Sequence, residues 1–347
     1  MPDTIETPSF KTIQVKELHP TFAAEVTGVN FQHVSDEQFA EILAAMAKYG
    51  VCVFRKTGLT DESHVAFSRR FGELDNIRRY LVGGRKPRYG LYELFDAGNL
   101  TEDNQSVLDP DSVRAHSNKG NGLWHVDSSF NPRRAGFSLL RACILPPPGH
   151  GGNTDFADSR TAFEELPPDL KTRLLEHDYV GAHSMAHSRK LGSPEFFKDM
   201  DVPSNVPMYR HRIVQEHGPS GRTNLYIGTH MHHLEDLLQD KDNQAQAHNN
   251  DERKEIPGSW DLIQTLHRHA TQPKYQTSVE WRDVGDLVIW DNRCVLHKAG
   301  GGRFEGRFKR DLRRTTVHDD GPHAWGVWPG FNTFEKPKAV SAAAAVA

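Results

Sequence analysis

Trp124-His125-Val126-Asp127 places a histidine and a carboxylate two residues apart. On an extended chain both side chains leave the same face and can share one metal ion. In a chain with 20 histidines such a triplet also arises as a surface His and Asp with no joint role, so it needs a partner. One is offered by the apolar run Leu287 to Trp290, followed by Asp291-Asn292-Arg293 and, six residues after Asp291, by His297. An apolar strand that delivers a histidine at its far end suits a third ligand arriving from elsewhere in a sheet. Two histidines and one carboxylate form the facial set of non-haem Fe(II) oxygenases, which leaves open positions on the metal. The same trio can hold Zn²⁺ with an open site, as a hydrolase would.

The next chemical signal is Lys309-Arg310-Asp311-Leu312-Arg313-Arg314, beginning 12 residues after His297. On a strand Arg310, Leu312 and Arg314 share a face, so two guanidinium groups would point the same way. Arginine's planar fork grips carboxylates bidentately, and two forks would take one anion each. A solvated basic edge strand is the plain alternative. Elsewhere, His230-x-His232-His233 has no matching carboxylate for a second metal. His183 and His187 stand at helical spacing, where a helix surface or a pocket wall explains them equally well.

Joined with Gly151-Gly152-Asn153-Thr154, Phe71-Gly72-Glu73-Leu74, Ser128-Ser129-Phe130 and Trp290-Asp291-Asn292-Arg293, these residues resemble the taurine dioxygenase and 2,4-dichlorophenoxyacetate dioxygenase (TauD/TfdA) family. The resemblance runs from about Ile13 to His318. It implies a double-stranded β-helix, a jelly-roll or cupin-like core, with His125, Asp127 and His297 on Fe(II). It further implies that Thr154 and Arg310 hold the distal carboxylate of 2-oxoglutarate while the keto acid end chelates the metal. Asn121, the Ser128 backbone and Arg314 match positions that line the substrate pocket. Dioxygen is the remaining cosubstrate, and succinate and carbon dioxide the expected by-products. Where taurine dioxygenase has a substrate-contacting histidine after Glu73-Leu74, this chain reads Asp75-Asn76-Ile77, which points away from taurine.

The expected activity is oxidation of an unactivated C–H bond in a small anionic, carboxylate-bearing substrate. The same iron chemistry could cyclise or desaturate an amino acid or another small metabolite. A zinc hydrolase leaves Thr154, Arg310 and Arg314 without a role. A non-catalytic binding protein on a jelly-roll scaffold remains a further reading, since fold does not imply function.

These residues need a scaffold, and the pattern is mainly β with inserted helices. Ser35-Asp36-Glu37-Gln38 reads as a capping box, with Phe39, Ile42, Leu43 and Met46 on one helical face until Gly50. Val51 to Phe54 reads as a strand, and Thr60 opens a second helix ending at Gly72. Tyr89 to His116 is turn-rich and reads as a long loop over the core. Strand-like runs recur at Phe137 to Leu145, Ile213 to Glu216, Leu225 to Ile227, Thr277 to Trp281 and Leu287 to Trp290, with a hairpin turn at Gly218-Pro219-Ser220-Gly221. Helical patterns span Thr161 to His177 and Ser259 to His269, while Gln239 to Glu255 reads as a polar insertion or flap. One domain over 13–335, between a tail at 1–12 and a low-complexity tail at 336–347, accommodates all of this.

Composition narrows the function classes. A chain of 347 residues, 37% hydrophobic and 25% charged, can bury a sizeable core. Three scattered cysteines make neither a disulfide framework nor a thiolate zinc site. A net charge of −4 with no long basic run gives no basis for nucleic-acid binding. No apolar run is long enough for a bilayer, and no secretory signal opens the chain, so the expected setting is cytoplasmic. The expected partner is a small molecule, with self-association left open.

Overall fold

The computed structural model describes residues 9–81, 86–200, 208–238 and 255–327. The polar stretch 239–255 lies outside them apart from Glu255, as do residues 1–8 of the first tail and all of 336–347. The chain opens with an antiparallel pair, β1 (Gln14–Glu17) and β2 (Ala24–Thr27), followed by helix α1 (Asp36–Tyr49). The Ser35 side chain caps α1 by accepting from the Gln38 N–H, and Gly50 ends it in the left-handed region at φ 68°. After β3 (Val51–Phe54), Thr60 caps α2 (Asp61–Ser68), which tightens into a 3₁₀ turn at Arg69–Phe71 that Gly72 ends.

The expected loop at 89–116 carries two pieces of regular structure, β4 (Phe95–Asp96) and α3 (Val113–Asn118). Then come β5 (Ala135–Ile144), β6 (Thr154–Asp158), α4 (Ser159–Glu164) and α5 (Pro168–Glu176). The single helix expected over 161–177 is therefore two, because Pro167-Pro168 cannot continue α4 but starts α5 well. Next are β7 (Tyr179–His183), α6 (Met185–Gly192), β8 (Tyr209–Arg212), β9 (Val214–His217), β10 (Arg222–Leu225) and β11 (Met231–Asp236). His183 thus ends a strand and His187 sits in the next helix, so their spacing is not that of one helical face. The chain continues with α7 (Ser259–Ala270), β12 (Gln276–Val279), β13 (Leu287–Asp291), β14 (Val295–Ala299) and β15 (Asp311–His318).

A seven-stranded sheet has the order β1-β2-β3-β13-β5-β15-β4. Packed against it is the three-stranded sheet β12-β6-β14, and a second three-stranded sheet, β11-β7-β8, and the β9-β10 hairpin, which turns at Gly218 to Gly221 as expected, complete the strands. Leu140, Val288, Trp290 and Leu312 of the large sheet meet Phe156, Val279 and Val295 of the β12-β6-β14 sheet in one apolar layer. The outer face of the large sheet is covered by α1 and α2 through Ile42, Met46 and Phe67. On the far side Leu262, Ile263 and Leu266 of α7 pack with Tyr179, Leu234 and Leu296. Each large apolar side chain in these layers contributes roughly 1.5–3 kcal/mol by leaving water. Among the described residues no helix is long and apolar enough to cross a membrane. Cys52, Cys143 and Cys294 are free thiols.

Candidate active site

His125 lies in the segment beside β14, and its main chain bridges directly to that of His297. The His125 N–H donates to the His297 carbonyl at 3.0 Å, and the His297 N–H returns a bond to the His125 carbonyl at 2.9 Å. Directly paired residues on antiparallel strands project their side chains to the same face. The two rings accordingly sit with centroids 4.2 Å apart, and Asp127, two residues on, joins them. Its carboxylate oxygens stand 4.0 Å from His125 Nε2 and 3.6 Å from His297 Nε2, too far for hydrogen bonds. One donor atom from each of the three residues falls within 4.8 Å of the others, and all three are buried.

The electrostatics suit a cation. Burial lowers the pKa of both histidines, overriding the pull of Asp127, so the rings are neutral and keep a lone pair. His125 donates from Nδ1 to the Leu123 carbonyl at 2.7 Å, which leaves Nε2 as its free acceptor. Burial would raise the Asp127 carboxyl, but the Arg314 guanidinium, helped by the Ser138 hydrogen bond, holds it well below the usual carboxylate range. Ser138 Oγ donates to Asp127 at 2.8 Å, and the Asp127 N–H donates to Asn292 Oδ1 at 3.0 Å. Asn292 Nδ2 in turn donates to Ser138 Oγ at 2.9 Å, while Trp290 Nε1 donates to Asn292 Oδ1 at 3.0 Å. The donor set, two neutral imidazoles and one ionised carboxylate, fits Fe(II).

A cavity of about 780 Å³ opens beside this trio, and His125, His297, Thr154, Arg310, Arg314 and Asn121 all line it. Arg310 is 7% exposed, and among the described residues no carboxylate pairs with it. Its Nη1 and Nη2 donate to the carbonyls of Ala97 at 3.2 Å and Gly152 at 3.0 Å, while Nε has no partner. Burial pushes its pKa down to about 10, so it is still a cation at neutral pH. Gly152 stands at φ 90°, and a Cβ there would come within 3.1 Å of Arg310 Nε, so a side chain would crowd the guanidinium. Thr154 Oγ1 accepts from Trp281 Nε1 at 3.1 Å, leaving its own O–H free to donate into the cavity.

Arg314 donates from Nη1 to Asp127 Oδ1 at 2.5 Å, and its guanidinium lies 5.3 Å over Phe95. The buried Asp291 is taken by Arg293 and His217, so the acid that Arg314 meets is Asp127. A register shift between Asp311 and Leu312 leaves Arg310 just before β15, so the two arginines reach one cavity across an irregularity and not along an ideal strand. Ser128 is not among the residues that line the cavity. It turns the chain at φ 57° and accepts from the Asn131 N–H at 3.0 Å. Ser138 carried no signal in the sequence. Asn292 stood inside a quoted motif, yet its bond to the Asp127 main chain is invisible without the fold.

A second buried cluster, His217, Asp291 and Cys294, has metal-binding residue types but no vacant valence on its carboxylate. His217 Nε2 lies 3.0 Å from Asp291 Oδ2, and Arg293 grips both oxygens at 2.8 and 2.6 Å. Among the described residues His230, His232 and His233 join no metal-capable group, although the His230 ring meets that of His125 edge-on at 5.6 Å.

The family described as Taurine catabolism dioxygenase TauD, TfdA family matches residues 14–316. The α-ketoglutarate-dependent 2,4-dichlorophenoxyacetate dioxygenase of Burkholderia sp. (strain RASC) is 34% identical over 310 residues, 88% of this chain and 94% of that one. The (S)-phenoxypropionate/α-ketoglutarate-dioxygenase of Sphingobium herbicidovorans is 31% identical, covering 82% and 88%. The crystal structure of AAD-2 in complex with Mn(II) and N-oxalylglycine superposes with a TM-score of 0.70 at 32% identity, covering 90% of this chain and 98% of that one.

Proposed function

From the premise that the chain belongs to the TauD, TfdA family, and so is an α-ketoglutarate-dependent dioxygenase using Fe(II) and dioxygen, we propose that it oxidises an unactivated C–H bond of a small carboxylate-bearing substrate. That membership removes the hydrolase and non-catalytic readings. In the proposal one domain over 13–335 does this, with its facing sheets forming a double-stranded β-helix. The observation that carries it is a pair of guanidinium groups, Arg310 and Arg314, in one cavity with the His-Asp-His set. Among the described residues no acid outside that set pairs with either.

In this reading His125, Asp127 and His297 hold the iron, their lone pairs aimed by the His125–His297 bridge and by Ser138 and Asn292. When bound, iron and cosubstrate supply the oxidation itself, dioxygen and 2-oxoglutarate giving succinate and carbon dioxide as one oxygen atom is delivered to substrate. Arg310 holds the distal carboxylate of 2-oxoglutarate, with Thr154 donating to the same group. The buried charge that now lacks an anion then gains one. Arg314 and Asn121 bind the carboxylate of the substrate, and Phe95 beneath Arg314 fixes the plane of its fork. The rest of the substrate meets a wall of Val107, Leu108, Pro110 and Ala115, which suits an apolar body such as the aromatic acids named for the relatives.

The test is succinate formation stimulated by a panel of phenoxyacetates, phenoxypropionates, aliphatic carboxylates and sulfonates, each beside its neutral ester or amide. A free acid should stimulate turnover, and Arg314→Ala should raise its KM by about 10- to 100-fold while 2-oxoglutarate binding changes little. Esters oxidised as well as the acids would sink the proposal.

A further inference from the structure

Seven charged side chains outside the iron set form an unbroken alternating chain. Arg114 of α3 pairs with Asp96 of β4, and Asp96 also accepts from Arg88 at 2.6 Å. Arg88 reaches on to Asp311 at 3.2 Å, and Asp311 takes Arg313 at 2.9 Å. Arg313 pairs with Asp61, the first residue of α2, which also holds Arg141 of β5. Four guanidinium groups thus alternate with three carboxylates from the outer helix layer to the rim of the cavity. The middle is sealed: the side chains of Arg88 and Asp311 are 8% and 1% exposed. Arg88 and Arg114 also share the Leu100 carbonyl, at 3.1 and 3.0 Å.

The position of Asp96 gives this chain a consequence for the chemistry. Asp96 pairs in register with Arg313 on β15. Its neighbours brace both cavity arginines: Phe95 lies under Arg314, and the Ala97 carbonyl accepts from Arg310 Nη1. Asn99 holds the Arg310 main chain on both sides, accepting its N–H at its own Oδ1 at 2.8 Å and donating its N–H to the Arg310 carbonyl at 3.0 Å. On the other side of Asp96, Arg114 leads straight into Ala115, Asn118 and Asn121, which line the cavity. One carboxylate therefore joins the strand that presents the arginines to the wall that faces them.

We infer that Asp96 is a positioning residue, and that its clasp on Arg114 and Arg88 sets the distance between the substrate-facing wall at 113–122 and the arginine-bearing strand. The inference rests on the reading that Arg310 and Arg314 bind the two acids, and it adds a residue that touches neither. A wall held by short ion pairs keeps a bound substrate near its reacting geometry, where a displacement of about 1 Å costs up to roughly a hundredfold in rate. A slack wall lets 2-oxoglutarate be consumed without oxidation of the second acid.

Two variants open the clasp from opposite ends, Asp96→Asn and Arg114→Gln. In both, amide hydrogen exchange at 113–122 should quicken by about tenfold or more in the protein without ligands, while exchange in α5 stays as in wild type. With 2,4-dichlorophenoxyacetate as the probe acid, or the best acid of the panel above, its KM should rise about tenfold. The KM for 2-oxoglutarate should move by less than about threefold, and succinate should form in excess over oxidised acid. Unchanged exchange at 113–122 in both variants overturns the inference. So does an equal rise in α5, which marks a general loss of stability. A wild-type enzyme that oxidises none of the acids defeats the carboxylate-substrate reading alone, since the exchange comparison still decides whether the clasp holds the wall.

Discussion

Asp127 and Asp291 are both buried carboxylates flanked by histidine and arginine, yet their surroundings differ in one physical respect. Around Asp291 the distances close: His217 at 3.0 Å, the Arg293 guanidinium on both oxygens and the Arg293 main-chain N–H on Oδ1 at 2.9 Å satisfy all four lone pairs, and Arg293 reaches Asp319 as well. Around Asp127 they close on one side only. Arg314 and Ser138 donate to its two oxygens at 2.5 and 2.8 Å, but His125 and His297 stop at 4.0 and 3.6 Å, and His297 Nδ1, Arg310 Nε and Arg314 Nε have no partner. Burial of an unpaired polar group costs about 1–3 kcal/mol, a cost that an anion in the cavity would offset at Arg310 and Arg314. Residue types alone make the two clusters look alike. Distance and open space separate the site for a cation from the closed ion pair.

Three measurements probe that difference. Removing a ligand should have the largest effect: His297→Ala should lower succinate formation by about a thousandfold or more and abolish tight Mn(II) binding, with thermal unfolding nearly unchanged. His217→Ala, at the closed pair, should instead leave metal affinity intact. If both variants lose metal equally, the contrast fails.

The next effect belongs to the closed pair alone. Burial would lower the His217 pKa, but Cys294 and Asp291 outweigh it and push it up to about 9, against an ordinary 6.5. A pKa raised by folding stabilises the protein fully below pH 6.5, and the gain is lost as pH rises through 9. It amounts to about 3 kcal/mol. Urea unfolding from pH 6 to 10 should show that loss in wild type and not in His217→Gln. A flat profile in wild type would mean that the imidazole is neutral throughout.

The smallest effect lies on the open side. Arg310→Ala should weaken 2-oxoglutarate by about 1.5–3 kcal/mol, or roughly 10- to 150-fold, as read by calorimetry on the Mn(II)-loaded protein. Affinity equal to wild type would place the cosubstrate's distal carboxylate elsewhere.

Much of the scaffold was legible because its signals are local. Ser35 and Gly50 bracket α1, and the apolar runs of β3 and β13 are buried at every position. The strands β6, β7, β8 and β11 were harder, since a sequence such as Tyr209–Arg212 owes its extended form to a partner about thirty residues away, and β10 lies at Arg222–Leu225 and not at the expected Leu225 to Ile227. The same divide runs through the site. His125 and Asp127 share a face by simple alternation, but the bridge to His297 spans most of the fold. The bulge before Leu312 and the placing of Asp96 between two arginine supports have no local signature at all.

The reciprocal main-chain bridge between His125 and His297 also bears on how such a chain can change in length. It fixes the ligand pair by counting peptide units, and a slip of one residue would turn one imidazole to the opposite face. Insertions and deletions are therefore barred from Leu123 to Asp127 and from Asp291 to His297, however conservative their composition. Around Asp103 to Gln105, an exposed turn whose bonds are local apart from the exposed Lys309 ammonium on the Asn104 carbonyl at 3.3 Å, the chain is freer to lengthen. Divergence in substrate would then come from the rim of the cavity, while the spacing of the ligands stays as invariant as the thread pitch of a screw.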